Sequence, residues 1–420
     1  MSRCSIVLLL ICLLPACTKR DASPTSLTPG ASVDAIAGLE VAPAVTHGNL
    51  AIFPIISSRP QPPDRFITLD EGLAAGTVEV FEIGAATDAE GDEADSAVAA
   101  DDAAAPPQQA QVDLENNPDS FRDSEDAAEV NRVMVVNQSG KPLYLMPGEI
   151  IMGGDQDRCV AEEFVLQPGS KPTPVEVFCV EHGRWGGRAP VETEAYVGAT
   201  EQFVEFGASL SLVVASDSDD LAEDANRGKF IASAGAVSKP ARMAVQESQD
   251  QQTVWQNVGN VNSLTGNATD SGTFAANYVN ERTLAELQPY VEAVREPVAD
   301  VDNVVGVIVA VNGEVHSLDR FESTALFKKL WPKLLKSYAL DAVSVADAKD
   351  AAARCGAEEA RDFLAESMRA GVEKSETNHG VSVTRRSSSN VVSFSAEDAS
   401  MAADGFGGGV HASAFSKSSP

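Results

Sequence analysis

The fold is decided by residues 129–152, which read EVNRVMVVNQSGKPLYLMPGEIIM. Apolar, strand-forming residues fill 130–137, and the QSGK that follows is typical of a turn. A second short strand is predicted at 143–146, after which Pro147-Gly148 turns the chain into a third at 149–152. Strands this short, separated by Gly and Pro turns, predict an antiparallel β-sandwich-like or barrel-like layer.

The strand pattern continues on both sides of this stretch, and helices follow in the second half. TVEVFEI at 77–83 alternates with period two and predicts a half-buried strand, while VVGVIVAV at 304–311 predicts a buried strand that enters an Asn312-Gly313 turn. The other predicted strands are 49–55, 164–166, 175–180, 380–392 and 410–415, and the predicted helices are 67–73, 246–258, 281–295, 323–338 and 345–370. The sequence therefore predicts an α+β fold: an antiparallel sandwich-like or barrel-like core with several packed helices from the C-terminal half.

The charge balance excludes one class of partner. The 31 Lys and Arg residues face 62 Asp and Glu residues, for a formal charge of −31, which argues against binding nucleic acid or an anionic membrane surface. Much of the acidity lies between residues 86 and 129, where Arg122 is the only basic residue and core-forming side chains are few. We expect a disordered acidic insertion there. Calcium binding is the alternative, although Asp92, Glu93 and Asp95 do not follow the spacing of a twelve-residue calcium loop.

The N-terminus resembles that of a bacterial lipoprotein. The apolar run IVLLLICLL at 6–14 is too short to span a bilayer, which takes about 20 residues, and it is followed by Leu14-Pro15-Ala16-Cys17, similar to a lipobox. We expect residues 1–16 to be a signal peptide and Cys17 to be acylated, so that the lipid bilayer is a partner. Residues 17–45 are rich in Ser, Thr, Pro, Gly and Ala and predict a flexible tether. Thr18 after the cysteine favours the outer membrane of the cell envelope; the alternative is an apolar stretch with a chance cysteine.

Three cysteines remain once the leader and anchor are set aside: Cys159, Cys179 and Cys355. Because Cys159 and Cys179 lie on neighbouring predicted strands, a disulfide between them is one interpretation. Buried thiols that act as small hydrophobic groups are the other.

Two blocks carry a family resemblance. GEIIMGGDQDR at 148–158, followed by CVEHGRW at 179–185, resembles the ADP-ribosylglycohydrolase and rhodanese-phosphatase-superfamily-associated protein domain family, first type. NLAIFPI, LDEGLAAG, QQTVW, VVGVIVAVNG and VHASAF agree in order, so the resemblance covers residues 46–417 apart from the acidic insertion. The chain departs from the family pattern at Asp155, where Lys is frequent, and at Cys159, where an aliphatic residue is common. The resemblance implies a ligand related to ADP-ribose or NAD without implying a particular reaction.

The polar residues of the two blocks are the candidate site. Two glycines let the backbone approach a ligand, an amide and two guanidinium groups suit phosphate or carboxylate, and an indole ring can stack. The candidate ligand-binding residues are Gly153, Gly154, Gln156, Arg158, Arg184 and Trp185, and the candidate acids or bases are Glu149 and Glu181. The alternative is structural: Arg158 pairs with Glu181, Arg184 pairs with Glu149, and Trp185 lies in the core.

Other chemistry is weakly indicated. Cys179 and His182 are two residues apart, but no second ligand pair accompanies them, so no metal is expected. No phosphate-loop, dinucleotide or nucleophile motif is present, so no cofactor is expected and enzymatic activity stays open. Gln251, Gln252 and Trp255 fit either a capped core helix or the wall of a pocket.

Two functions follow from these observations. In the first, a lipoprotein's single domain binds, and in one version hydrolyses, a small anionic, ADP-ribose-like or nucleotide-like ligand. In the second, a non-enzymatic envelope protein uses the scaffold for protein contacts and the two blocks are structural.

Overall fold

The computed structural model describes residues 38–82, 131–154, 156–183, 229–233, 235–345 and 355–418. In these ranges the chain forms a nine-stranded sheet, a closed six-stranded barrel and a three-stranded sheet, with seven α-helices. The strands are β1 (Leu39–Val41), β2 (Val45–His47), β3 (Leu50–Ser57), β4 (Ile67–Thr68), β5 (Val78–Glu82), β6 (Arg132–Asn137), β7 (Leu143–Leu145), β8 (Ile150–Gly153), β9 (Arg158–Val160), β10 (Phe164–Leu166), β11 (Thr173–Cys179), β12 (Lys229–Ala232), β13 (Val304–Val311), β14 (Glu314–Phe321), β15 (Gly371–Asn378), β16 (Val381–Ser387), β17 (Val391–Asp398) and β18 (Gly409–Ser416). The helices are α1 (Leu69–Ala74), α2 (Lys239–Met243), α3 (Gln251–Thr265), α4 (Ala276–Val279), α5 (Glu281–Ala299), α6 (Thr324–Ser344) and α7 (Ala357–Arg369). The predicted α+β class with an antiparallel core is confirmed.

The large sheet has the order β1-β3-β13-β14-β18-β17-β16-β15, with β2 also paired to β3, and its pairs are antiparallel. All eight residues of β13 are buried, as their continuous apolar run predicts. Asn312 and Gly313 both have positive φ, +54° and +81°, which is the geometry of the tight hairpin turn to β14.

The barrel closes in the order β11-β6-β5-β12-β8-β9, with β9 paired back to β11. Its apolar side chains form a separate core that includes Val133, Val135, Ile151 and Val177. Strand β9 therefore lies between β8 and β11, the strands that carry the first and second sequence blocks. The barrel thus joins the two blocks at one place.

The helices differ in part from their predicted bounds. The segment predicted as one helix at 246–258 is a π-helical turn, Ala244–Ser248, and then α3, because Gln249 takes a left-handed φ of +49° between them and Asp250 caps α3. Of the helix predicted at 345–370, the structure describes α7, which is preceded by Gly356, whose N–H donates to Glu359, while residues 346–354 lie outside the described residues. No described helix is long and apolar enough to cross a membrane.

The folded part begins before residue 46, where the family domain was expected to start. Leu39–Val41 pairs with the end of β3, and Val45 begins β2, so 38–45 belongs to the sheet and not to a tether. The signal peptide at 1–16, Cys17, the rest of the tether and the acidic insertion at 86–129 lie outside the described residues.

Candidate functional site

The two sequence blocks meet across one pair of strands. Arg158 on β9 lies directly opposite Cys179 on β11, and opposite Ile151 on its other side. The Arg158 side chain is buried at 2% exposure. Its Nη1 donates to Gln156 Oε1 over 2.9 Å and to the Cys179 sulfur, and its Nη2 lies 3.2 Å from Glu82 Oε1. A buried guanidinium thus connects the end of β5 to both blocks.

A glycine turn holds the first block in place. Gly153 and Gly154 have φ of +120° and +56°, and a Cβ on Gly154 would lie 2.7 Å from Glu82 Oε1. Only glycine therefore fits this close approach. Asp157 accepts from Gly153 N over 3.1 Å and from Thr273 Oγ1 over 2.6 Å, so the turn is fixed to the loop before α4.

The second block is fixed by Glu181 and by helix α3. Glu181 Oε2 accepts from the N–H of Asp157 over 3.0 Å. Gln251 accepts from Cys179 N over 2.9 Å and donates to Cys179 O over 2.8 Å. One turn later on α3, the Trp255 ring meets the His182 ring edge-on, with centroids 4.7 Å apart. The helix is capped by Asp250, in agreement with the interpretation as a capped helix, and its first turn contacts the second block.

Three buried N–H groups around this point have no hydrogen-bond acceptor among the described residues: Gln156 Nε2, Arg158 Nε and Trp255 Nε1. Buried donors are nearly always paired in folded proteins, and each unpaired one costs about 1–3 kcal/mol. We name this group the Arg158 cluster, and it consists of Glu82, Gln156, Asp157, Arg158, Cys179, Glu181, Gln251 and Trp255.

The charges of the Arg158 cluster are mostly negative. Its described members include three carboxylates, those of Glu82, Asp157 and Glu181, and one guanidinium, that of Arg158, which contacts Glu82. Burial raises the pKa of the Cys179 thiol to about 11, although Arg158 acts in the opposite direction. Cys179 is therefore a neutral thiol at neutral pH and a poor nucleophile. The described cysteines, Cys159, Cys179 and Cys355, are all free and buried, so the disulfide interpretation is wrong for them.

Glu149 belongs to a different cluster. Its carboxylate pairs with Lys333 of α6, which also lies 2.8 Å from Asp70 and donates to Ser233 over 2.8 Å. Burial raises the pKa of Glu149. Burial alone would lower the pKa of Lys333, but Asp70 and Glu149 outweigh it and the pKa is raised. Glu149 is thus a structural partner of α6 rather than a companion of Arg158.

The ion pairs of the structural alternative are accordingly different from those expected. Arg158 pairs with Glu82 and not with Glu181, and Glu149 pairs with Lys333. Arg184 and Trp185 lie outside the described residues, so the structure does not place them. Sequence reasoning missed Glu82, although the alternation of β5 contained a signal. Glu82 lies on the same face of the strand as the apolar residues Val78 and Val80, where a charged side chain needs a buried partner.

A second buried network crosses the large sheet at β14. Asp319 accepts from Arg242 through two hydrogen bonds of 2.9 and 2.6 Å, from Tyr338, and lies 3.0 Å from His411 Nε2. His411 Nδ1 lies 2.6 Å from Glu163, whose other oxygen accepts from Tyr144. Burial alone would lower the pKa of His411, but Glu163 and Asp319 outweigh it and raise the pKa to about 9. We call these residues the Asp319 network.

Metal chemistry finds no support in the described part of the chain. There, no three side chains of the His, Cys, Asp and Glu types are grouped as a metal site requires. The arrangement of the Arg158 cluster offers instead N–H donors and carboxylate acceptors, which is the chemistry of polar ligand binding.

The family comparison covers both sequence blocks. The family model described as "ARG and Rhodanese-Phosphatase-superfamily-associated Protein domain" matches residues 38–415. The chain belongs to this family. The match begins at the first described residue, before the start expected from the motifs, and it includes both blocks of the ARG and Rhodanese-Phosphatase-superfamily-associated Protein domain. Searches of the curated proteins and of the solved structures found no match.

Proposed function

We propose that this protein is a lipid-anchored protein of the bacterial cell envelope whose domain binds a small, acceptor-rich ligand of the ADP-ribose or nucleotide type at the Arg158 cluster. The observation that carries the proposal is a set of three buried N–H donors, from Gln156, Arg158 and Trp255, that have no acceptor among the described residues. A ligand that supplies oxygen or ring-nitrogen acceptors would remove the cost of these unpaired donors.

The charges of the cluster define which part of the ligand binds here. Three carboxylates against one guanidinium disfavour a phosphate in the immediate cluster, whereas ribose hydroxyls donate well to Glu82 or Glu181. The anionic part of such a ligand needs a cation outside the cluster. Arg184, two residues after His182 in the second block, is our candidate for that role, with Trp185 as the stacking residue.

Binding is better supported than catalysis. The Cys179 thiol has a raised pKa, and Asp157 already accepts two hydrogen bonds from its own chain. Glu181 is the remaining candidate for an acid or base, because its Oε2 faces Asp157 N at the edge of the second block. Glu149 is committed to Lys333.

A ligand-induced thermal shift tests the proposal. ADP-ribose, NAD and inorganic phosphate would be added separately to wild type, to Gln156→Ala and to the matched control Gln252→Ala, whose side chain is exposed on α3. We expect ADP-ribose to raise the melting temperature of wild type and of the control, and Gln156→Ala to lose the shift. No shift with ADP-ribose or NAD at millimolar concentration would contradict the proposal.

The burial of Arg158 against Glu82 favours the second candidate, in which the cluster only braces the barrel. In that case the domain serves protein contacts in the envelope. The two candidates differ in one result: if the cluster is purely structural, Gln156→Ala changes none of the ligand-induced shifts, although it still lowers the melting temperature of the ligand-free protein.

The anchor is tested separately. Replacing Cys17 with Ser should move the protein from the membrane fraction to the soluble fraction of a bacterial host, because the acylated thiol is lost. Unchanged retention in the membrane fraction would contradict the lipoprotein assignment without affecting the ligand proposal.

A further inference from the structure

A cavity of about 570 Å³ lies beside the C-terminal end of α7, on the face of the large sheet that carries Leu318. Its walls include Arg320 of β14, Arg59 after β3, Glu397 of β17 and the glycine-rich loop 405–409. All of these residues are on the large sheet or its loops, and none belongs to the Arg158 cluster.

Arg320 is the unusual member of this cavity. Its side chain is only partly exposed, yet its guanidinium forms no hydrogen bond or ion pair with any residue that the structure describes. Burial and then the positive charge of Arg59 lower the pKa of Arg320. A partly buried cation beside a second cation is unfavourable unless an anion joins them.

The neighbouring strands leave the Arg320 side chain uncovered. The residues directly opposite it are Gly306 on β13 and Ala412 on β18. A Cβ on Gly306 would lie 2.3 Å from the carbonyl oxygen of Asp319, so glycine is required at that position. Neither neighbour can therefore pair with the guanidinium or fill the space over it.

The glycine-rich loop adds hydrogen-bond donors to the opposite wall. Gly405 and Gly407 have φ of +87° and +92°, and a Cβ on Gly408 would lie 2.6 Å from Asp398 O. The backbone N–H groups of Gly407 and Gly408 donate to no acceptor in the described ranges. Loops of this kind commonly bind anions through their N–H groups.

Two carboxylates, those of Glu322 and Glu397, also line the cavity. Glu322 lies 3.7 Å from Arg65, whose guanidinium also covers the Phe406 ring at 5.7 Å, and Glu397 is exposed. With Glu322 beside Arg65, which is not part of the cavity wall, Arg59 and Arg320 on the wall face the exposed Glu397, in a chain whose formal charge is −31.

We propose that this cavity binds a phosphate-type oxyanion, either free phosphate or the phosphate of a small phosphomonoester, between the guanidinium groups of Arg320 and Arg59 and the N–H groups of Gly407 and Gly408. Charge-assisted hydrogen bonds from a guanidinium fork suit the tetrahedral oxyanion. The site is independent of the Arg158 cluster and of the function proposed for it.

Isothermal titration calorimetry on the purified full-length chain tests this site with inorganic phosphate, AMP and adenosine. We expect phosphate or AMP to bind in a way that depends on Arg320, whereas any binding of adenosine, which has no phosphate, should be unchanged by Arg320→Gln. Arg320→Gln should weaken binding about ten- to hundredfold, because one charged hydrogen-bond partner is lost. The matched control Arg282→Gln removes one exposed positive charge from α5 and should leave affinity unchanged. If AMP binds more tightly than phosphate, the natural ligand is a phosphomonoester. If the two affinities are equal, the natural ligand is free phosphate.

Melting of the ligand-free variants separates a binding role from a structural one. Because Arg320 has no partner to lose, Arg320→Gln should melt at or above the wild-type temperature. If that variant does not fold, Arg59→Gln takes its place and should weaken binding in the same direction. Absence of phosphate and AMP binding to wild type, or wild-type affinity in the arginine variants, would overturn the proposal.

Discussion

The Asp319 network and the Arg158 cluster are both built around a buried arginine, but they are completed to different degrees. In the Asp319 network, Arg242 makes two hydrogen bonds to one carboxylate, and its Nε alone lacks an acceptor in the described chain, with the Phe415 ring 5.3 Å below the guanidinium. In the Arg158 cluster, three donors on three different side chains lack an acceptor among the residues that the structure describes. Among the described residues, the first region leaves one donor atom unpaired and the second leaves three, which under the proposed function are paired by a ligand.

The difference shows how a structural arginine and a functional one can be separated. A structural guanidinium is matched in charge and geometry by its own chain, because an unmatched buried charge costs several kcal/mol. Unmatched donors persist where selection acts on something other than stability. Removing a group from the Asp319 network should therefore lower stability, and removing one from the Arg158 cluster should mainly lower binding.

The largest effect is expected from Asp319→Asn. The substitution leaves the buried charges of Arg242 and His411 with one carboxylate fewer, so the free energy of unfolding should fall by about 3–5 kcal/mol. Urea denaturation at neutral pH measures this. A loss of less than about 1 kcal/mol in the free energy of unfolding would contradict our interpretation that the Asp319 network mainly stabilises the fold.

The next effect is a pH dependence that His411 confers. Its pKa is raised from 6.5 to about 9, so its stabilisation is fully present below pH 6.5 and is lost as the pH rises through 9. The shift corresponds to about 3 kcal/mol. Urea denaturation of wild type and His411→Asn between pH 6 and pH 10 should show the difference between the two shrinking with pH. A difference in unfolding free energy that does not change with pH would contradict the raised pKa of His411.

Glu82→Gln should have a smaller effect than Asp319→Asn. Arg158 keeps its contacts with Gln156 and Cys179, so we expect a loss of about 2 kcal/mol in the free energy of unfolding. Urea denaturation of both variants under one condition makes the comparison. Equal losses would mean that the two arginines are equally structural.

The smallest effect on stability is expected from Trp255→Phe. The indole N–H of Trp255 has no acceptor in the described ranges, so its removal should change the unfolding free energy by about 0.5 kcal/mol or less. Trp331→Phe is the matched control, because Trp331 Nε1 donates to Arg295 O over 3.0 Å and its loss should cost about 1 kcal/mol. ADP-ribose affinity should show the reverse order, with only Trp255→Phe weakened.

The sequence predicted local patterns better than buried polar contacts. Continuous apolar runs such as 304–311 and the turn at Asn312-Gly313 were correct, because burial and turn chemistry are written in consecutive residues. Glu82 and Lys333 were not predicted as partners of the blocks, because they are 76 residues before Arg158 and 184 after Glu149. Such pairings depend on how the barrel closes and how the helices pack. The spacing of apolar and polar residues along the sequence determines neither.

The most direct test of the ligand proposal is a two-dimensional ¹H–¹⁵N spectrum of the tryptophan indole N–H groups during titration with ADP-ribose, with peaks assigned by Trp255→Phe and Trp331→Phe. Trp255 and Trp331 act as probe and internal control in one sample. The account predicts that the Trp255 resonance moves as its N–H gains an acceptor, while the Trp331 resonance stays fixed. A Trp255 resonance that does not move at saturating ADP-ribose would contradict it.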